Sequence, residues 1–125
     1  MKKLNIALAL AVGLSVATPA AAAPRFVTTP VFRLAQDATS AWIYGSSGGF
    51  SPVLISQCPY HTLFAFDPRT DEGKRYIALL TAAFLSGRSV VIYYDDGVGQ
   101  AGGGTSCYAS SMGSYTKPTR IDITQ

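Results

Sequence analysis

A helix followed at once by a strand, within residues 70–96, restricts the fold of this chain more than any other feature. Thr70 or Asp67 can accept hydrogen bonds from the free N–H groups at the helix start, and Gly87 can adopt the left-handed conformation that ends a helix. Apolar residues recur three or four positions apart between these ends, at Tyr76, Ile77, Leu79, Leu80, Ala83 and Phe84. This stripe predicts that one helix face covers an apolar core.

The spacing of apolar residues changes directly after Gly87. Residues 89–94 read Ser-Val-Val-Ile-Tyr-Tyr, which is β-branched and aromatic and too short for a second helix. They predict a strand that ends at the turn-forming residues 95–97. Because successive side chains of a strand point to opposite faces, we expect one of Tyr93 and Tyr94 in the core and the other outside it.

The first 22 residues have the composition of a secretory signal peptide. Lys2 and Lys3 give a positive start, residues 6–16 are apolar but too few to span a bilayer, and residues 20–22 form an Ala-Ala-Ala cleavage site. The sequence therefore predicts export, to the periplasm or out of the cell. A signal anchor that stays attached is the alternative.

A proline favours one cleavage position over its neighbours. Cleavage after Ala22 keeps Pro24 out of the position directly after the cut, with Ala21 and Ala23 as the alternatives. The mature chain, residues 23–125, is long enough for a single domain with a modest core. We expect no membrane span in it after cleavage.

The charge of the mature chain argues against one class of partner. The 10 basic and 7 acidic residues become 8 and 7 once Lys2 and Lys3 are removed, so the mature chain is formally +1. Its remaining lysines and arginines are scattered and form no cluster along the sequence. A nucleic-acid partner is therefore not expected.

Cys58 and Cys107 are the only cysteines. In an oxidising compartment they predict one disulfide, which closes a loop of about fifty residues around the helix and its strand. A metal site is not expected, because His61 is the single histidine and the chain has no C-x-x-C motif.

The sequence contains no recognisable catalytic constellation. His61 has no second base beside it, and no G-x-S-x-G motif surrounds a serine. The glycine-rich residues 95–104 lack the Gly-Lys-Ser/Thr ending of a phosphate-binding loop and the acidic spacing of a calcium loop. We therefore expect a protein that is not an enzyme and has no cofactor, with residues 95–104 as a flexible connector.

Several segments besides the helix are predicted as strands. They are residues 31–35, 41–44, 61–66, 89–94, 107–109 and 120–123, with 52–56 as a short edge strand and 112–117 as a turn-rich connector. One helix between the third and fourth of about five strands is the arrangement of the OB-fold, a five-stranded Greek-key barrel that the helix plugs. An α+β sheet with one covering helix is the alternative.

A family resemblance rests on the helix-to-strand junction. The chain resembles the B subunits of the subtilase and pertussis classes of pentameric bacterial toxins in its helix end Ala83-Phe84-Leu85-Ser86-Gly87-Arg88, its strand Val90-Val91-Ile92-Tyr93 and its two flanking cysteines. The resemblance covers mainly residues 67–94 and more loosely 42–108. It implies a non-catalytic OB-fold subunit that forms a homopentamer, binds sialylated or other cell-surface glycans and delivers a catalytic toxin subunit.

The same resemblance implies a glycan site near the first hairpin and its adjoining loop. Its candidate residues here are Trp42, Tyr44, Ser46, Ser47 and Tyr93. Aromatic planes suit the C–H faces of sugars, and short hydroxyl side chains on a loop suit their hydroxyl groups. By period two, Trp42 and Tyr44 share one face of a strand. The alternative is that these aromatic residues belong to the core, in a stand-alone periplasmic or envelope protein with a structural or protein-interaction role and no glycan affinity.

Overall fold

The computed structural model describes residues 22–125, so the predicted signal peptide, residues 1–22, lies outside the described part except for Ala22. The described chain is mainly β. Its eight strands are β1 (Pro24–Pro30), β2 (Arg33–Gln36), β3 (Ala41–Tyr44), β4 (Tyr60–Phe66), β5 (Ser89–Asp95), β6 (Cys107–Ser110), β7 (Gly113–Thr116) and β8 (Pro118–Ile123). One α-helix, α1 (Asp71–Ser86), lies between β4 and β5, and a short 3₁₀ helix (Ala101–Ser106) precedes β6.

Both ends of α1 agree with the sequence prediction. The Thr70 side-chain oxygen accepts a hydrogen bond of 2.9 Å from the backbone N–H of Gly73, which satisfies one of the free donors in the first turn. Gly87 follows the helix in the left-handed conformation, with φ at 69°. The sequence therefore fixes where this helix begins and where it ends.

The buried stripe of α1 is narrower than the sequence predicts. Tyr76, Leu80 and Ala83 are buried, as expected. Phe84 is instead 56% exposed. The buried positions advance by four and then three residues, so Phe84 lies about 100° around the helix from Ala83 and away from that line. The prediction that Phe84 packs in the core is wrong.

The strands form two sheets, and the chain passes directly from one sheet to the other at two places. One sheet has the order β2-β3-β4-β7-β6 and the other the order β1-β5-β8. Neighbouring strands are antiparallel except β4 and β7, which are parallel. Only residues 31–32 separate β1 from β2, and only Lys117 separates β7 from β8. Strand pairing therefore continues from one sheet into the other at two places.

The count of about five strands is corrected to eight among the described residues. β1 was not predicted, because Pro24 and Pro30 at its ends read as breakers of a strand. Residues 112–117, predicted as a connector, contain β7. Residues 52–56, predicted as a short edge strand, form no strand, although the Leu54 N–H donates to the His61 carbonyl at 2.9 Å.

The apolar core contains residues from both sheets and from α1. Ile43, Phe64, Leu80, Val90 and Ile92 are fully buried within it. Tyr94 also enters the core, where its ring meets that of Phe64 edge to face at 5.3 Å. Tyr93 lies half-buried on the opposite face of β5. The two adjacent tyrosines thus separate as the strand period predicts.

Cys58 and Cys107 form the predicted disulfide, with a sequence separation of 49 residues. The bond joins the segment before β4 to the start of β6. Gly103 packs against it so closely that a Cβ atom there would lie 2.4 Å from the Cys107 sulfur. Across residues 22–125, no helix is long and apolar enough to pass through a membrane.

Candidate functional site

The outer face of the five-stranded sheet carries an aromatic cluster that begins on β3. Alternation along β3 turns Ile43 into the core and places Trp42 and Tyr44 on the other face. Trp42 lies opposite Ala35 on β2 and Ala65 on β4. These two small neighbours leave room for the large indole ring, so the local sequence both orients Trp42 and accommodates it.

Four rings on this face contact one another or an arginine. The ring of Trp42 meets that of Tyr115 edge on, with centroids 6.5 Å apart. Tyr115 in turn stacks on Tyr60 at 5.2 Å. The Arg33 guanidinium lies 5.1 Å from the ring centre of Tyr44, which is within the range of a cation–π interaction. Burial, followed by the neighbouring Tyr60 and Tyr44, raises the pKa of Tyr115 above its ordinary value.

A depression of about 320 Å³ lies over this cluster, and we call it the aromatic depression. It is lined by Ala35, Asp37, Trp42, Tyr44, Leu63, Met112 and Tyr115. Leu63 and Tyr115 are half-buried, and Met112 is 67% exposed. The depression therefore combines flat aromatic walls with a flexible thioether, which adapts readily to the shape of a ligand.

Asp37 supplies the fixed negative charge of the aromatic depression. Its Oδ1 accepts hydrogen bonds from the backbone N–H groups of Thr39 and Ser40, both at 2.8 Å. These two donors hold the pKa of Asp37 below its ordinary value, so the carboxylate is ionised at neutral pH. The side chain is exposed and its position is set by its own turn. It can accept hydrogen bonds from a ligand in the depression.

The indole of Trp42 is 9% exposed, and its Nε1 has no hydrogen-bond partner among residues 22–125. A buried donor without a partner costs about 1–3 kcal/mol. The ring itself has little free surface for stacking. Tyr44 and Tyr115, both half-buried, therefore offer the accessible aromatic surface of the depression.

The two predicted loop serines lie outside the aromatic depression. Ser46 donates its hydroxyl hydrogen to the Gly49 carbonyl and lines a separate depression of about 430 Å³, which lies between β1 and residues 45–55. Ser47 is exposed on the same loop. The structure thus places neither serine among the residues that line the hollow beside Trp42 and Tyr44.

Tyr93, the fifth predicted site residue, belongs to the other sheet. It lies on β5, where its ring centre is 6.0 Å from that of Phe26. The Arg120 guanidinium lies 5.5 Å from the centre of the Tyr93 ring. Tyr93 and Tyr44 therefore have similar surroundings, each half-buried beside an arginine, but they are on different sheets.

The candidate glycan residues named from the sequence did not include the other five that line the aromatic depression: Ala35, Asp37, Leu63, Met112 and Tyr115. Leu63 could have been found from strand alternation, since it has the opposite parity to the core residue Phe64 on β4. Tyr115 was assigned to a connector. Its place depends on the parallel pairing of β4 with β7, which no local pattern indicates.

A third depression, of about 350 Å³, lies at the start of α1. Two of its polar side chains, Asp67 and Tyr76, already have partners within the chain. Tyr76 donates its hydroxyl hydrogen to Glu72, and Asp67 forms an ion pair of 3.0 Å with Arg69. Burial and the bond to Glu72 raise the pKa of Tyr76 above its ordinary value. The Asp67 and Tyr76 contacts therefore belong to the start of the helix and indicate no ligand.

Among residues 22–125, no three His, Cys, Asp or Glu side chains come together as metal ligands. The one histidine, His61, has its Nδ1 3.4 Å from the Cys58 carbonyl oxygen. Comparisons of the chain with protein-family models, with curated proteins and with solved structures give no match. The geometry of the site is therefore the basis for assigning a function.

Proposed function

We propose that this chain is an exported, non-catalytic binding module that holds a cell-surface glycan in the aromatic depression. The observation that carries the proposal is the pairing of accessible rings, Tyr44 and Tyr115, with a fixed carboxylate, Asp37, in one hollow of about 320 Å³. A sugar presents C–H groups on one face and hydroxyl groups around its edge. Aromatic walls suit the first, and the Asp37 oxygens suit the second.

We further propose that the fold is an OB-fold. Strand pairing supports this assignment, because β1–β2 and β7–β8 can each be read as one bent strand that pairs in both sheets. Five strands counted in this way then close a ring of pairings, with α1 between the third and the fourth and with a parallel contact between the third and the fifth. β6 is an additional short strand in this arrangement. A closed barrel leaves few free strand edges.

Exposed apolar side chains support an assembly role, in a homopentamer that delivers a catalytic toxin subunit. Phe84 and Leu85 near the end of α1 are 56% and 78% exposed, and Phe32 before β2 is 52% exposed. Large apolar groups clustered on a surface are typical of interfaces. Size-exclusion chromatography with light scattering tests this part: the homopentamer predicts five times the monomer mass, and a monomer would refute it.

The same apolar groups also favour a second candidate function. A stand-alone periplasmic or envelope protein with a structural or protein-interaction role would use Phe32, Phe84 and Leu85 to bind another protein and would have no glycan affinity. A glycan array separates the two candidates. Binding to an array member favours the glycan module, and the absence of binding favours the protein-interaction role.

Matched tyrosine variants test where a glycan binds. Tyr44→Ala removes a wall of the aromatic depression, whereas Tyr93→Ala removes a comparable ring on the other sheet. For the glycan identified on the array, we expect Tyr44→Ala to weaken binding by about tenfold, the loss of one aromatic contact, and Tyr93→Ala to leave it unchanged. Loss of binding only in Tyr93→Ala would place the sugar on the three-stranded sheet instead.

A further inference from the structure

Asp96 directly follows β5, and its buried carboxylate lies beside Ala23, the residue before β1. Its side chain is 3% exposed. One oxygen, Oδ1, accepts hydrogen bonds of 3.0 Å from the backbone nitrogen of Ala23 and of 3.0 Å from that of Val98. The other, Oδ2, accepts a hydrogen bond of 3.1 Å from Nε of Arg25. Every contact therefore brings a donor to this carboxylate.

Ala23 and Asp96 are joined through their backbones as well. The N–H of Asp96 donates to the Ala23 carbonyl at 3.1 Å, next to the pairing of Pro24 with Asp95 between β1 and β5. The position of the Ala23 nitrogen is therefore fixed by the sheet and does not depend on its own hydrogen bond. This nitrogen is also the atom that the expected cleavage after Ala22 would release.

We propose that Asp96 is the receptor for the new amino terminus: removal of the leader before Ala23 creates an α-ammonium group that binds Asp96 Oδ1. The inference rests on the export part of the proposed function, and it does not depend on glycan binding. A leader peptidase hydrolyses the Ala22–Ala23 peptide bond with one water molecule. Ala22 leaves as a carboxylate, and the Ala23 nitrogen gains the two water protons and becomes the ammonium group.

The change at Ala23 strengthens a contact that already has the right geometry. Before cleavage the nitrogen is a neutral amide with one hydrogen, and after it the same atom carries a positive charge and three hydrogens. The Asp96 carboxylate is charged in both states, so cleavage converts a hydrogen bond from a neutral donor into an ion pair and adds a Coulomb attraction. The site is part-buried, so solvent screens this attraction less than on an open surface.

The new ion pair would also hold neighbouring segments together. The Asp96 carbonyl accepts a hydrogen bond of 2.7 Å from the N–H of Gln57, beside the disulfide residue Cys58. The Val98 N–H on Asp96 Oδ1 fixes the beginning of the glycine-rich connector. Processing at Ala23 therefore stabilises the folded domain at the point where β1, the disulfide segment and the connector meet.

Two amino termini on one folded chain test the proposal. The chain that begins at Ala23 is compared with the same chain preceded by Gly-Ser, which keeps a neutral amide at residue 23. We expect the Gly-Ser chain to melt about 4–8 °C lower, because an uncharged amide replaces the ammonium group of a partly buried ion pair with the Asp96 carboxylate. In Asp96→Asn the two chains should melt within about 1 °C of each other, since no carboxylate remains.

With Asp96 unchanged, equal melting temperatures of the chain that begins at Ala23 and the Gly-Ser chain would overturn the proposal. This comparison does not require the Asp96→Asn variant to fold. The intact mass of the protein exported by a bacterial host supplies a second test. A mature chain that begins at Ala23 supports the proposal, and one that begins at Ala22 or Pro24 overturns it. If the chain is not exported but the stability difference is found, the ammonium site stands and the export proposal fails.

Discussion

The Cys58–Cys107 disulfide is the contact whose loss should weaken the domain most. It closes a loop with a sequence separation of 49 residues that contains β4, α1 and β5. In the chain-entropy treatment, releasing a loop of this length costs about 4 kcal/mol at 25 °C. A domain of about 100 residues has a free energy of unfolding of about 5–15 kcal/mol. The double variant Cys58→Ala/Cys107→Ala should therefore lose a large part of its stability.

Urea unfolding of the chain that begins at Ala23, followed by tryptophan fluorescence and circular dichroism, measures this loss. We expect a lower midpoint together with a larger m-value, because the denatured chain without the cross-link is less compact. By the size scaling for small domains, about 4 kcal/mol corresponds to a melting temperature lower by roughly 15–30 °C. The two probes should give coincident transitions if unfolding is two-state.

Reduction of the unmodified chain provides the control for the double variant. With excess thiol present it should unfold at nearly the same urea concentration as Cys58→Ala/Cys107→Ala, since both lack the cross-link and they differ only in two sulfur atoms. A decrease in stability below about 1 kcal/mol in both samples would refute the loop-closure reasoning. A large loss in the variant with none on reduction would point to packing around Gly103 instead.

The remaining predictions concern the core, two glycines and one carboxylate. Leu80→Ala, at a fully buried position, should cost about 2–5 kcal/mol by urea unfolding, whereas Leu85→Ala, at a side chain that is 78% exposed, should change stability by under about 0.5 kcal/mol. Gly87→Ala should cost about 1–2 kcal/mol from its positive φ alone, because no atom lies within 4 Å of the added Cβ. Gly73→Ala should cost more, since its Cβ would lie 1.9 Å from a backbone oxygen at the helix start; a smaller loss than in Gly87→Ala would contradict this reading. The pKa of Asp96 lies below its ordinary value because its carboxylate accepts hydrogen bonds from the N–H groups of Val98 and Ala23 and from Arg25. The contribution of Asp96 to the free energy of unfolding is therefore present above about pH 4 and is lost as the pH falls through the lowered pKa. Melting temperatures measured from pH 6 to pH 2 should fall less steeply in Asp96→Asn.

The sequence predicted the parts of the fold that local chemistry determines. Thr70 and Gly87 mark the ends of α1 because a capping hydroxyl and a left-handed glycine act within one turn. The alternation of Trp42, Ile43 and Tyr44 placed the two aromatic residues on one face for the same local reason. β1 was missed because its proline-bounded segment reads as a strand only once β5 pairs with it.

The candidate site was predictable only in part, because residues distant in sequence complete it. Trp42 and Tyr44 come from one strand, but Tyr115 reaches them through the parallel pairing of β4 with β7. Asp37 reaches the depression through the hairpin of β2 and β3, and its turn was the one local signal of its conformation. Tyr93 could not be separated from Tyr44 by composition, since only the strand order places them on different sheets.

The strand order β1-β5-β8 determines when this sheet can form during synthesis of the chain. The middle strand of that sheet has the earliest described strand on one side and the latest on the other. On a ribosome, where the amino end emerges first, β1 waits without a partner until β5 is synthesised, and β5 lacks its other neighbour until residues 118–123 follow. Contacts between such distant segments form slowly. The three-stranded sheet of the nascent polypeptide therefore remains incomplete until residues 118–123 have been synthesised.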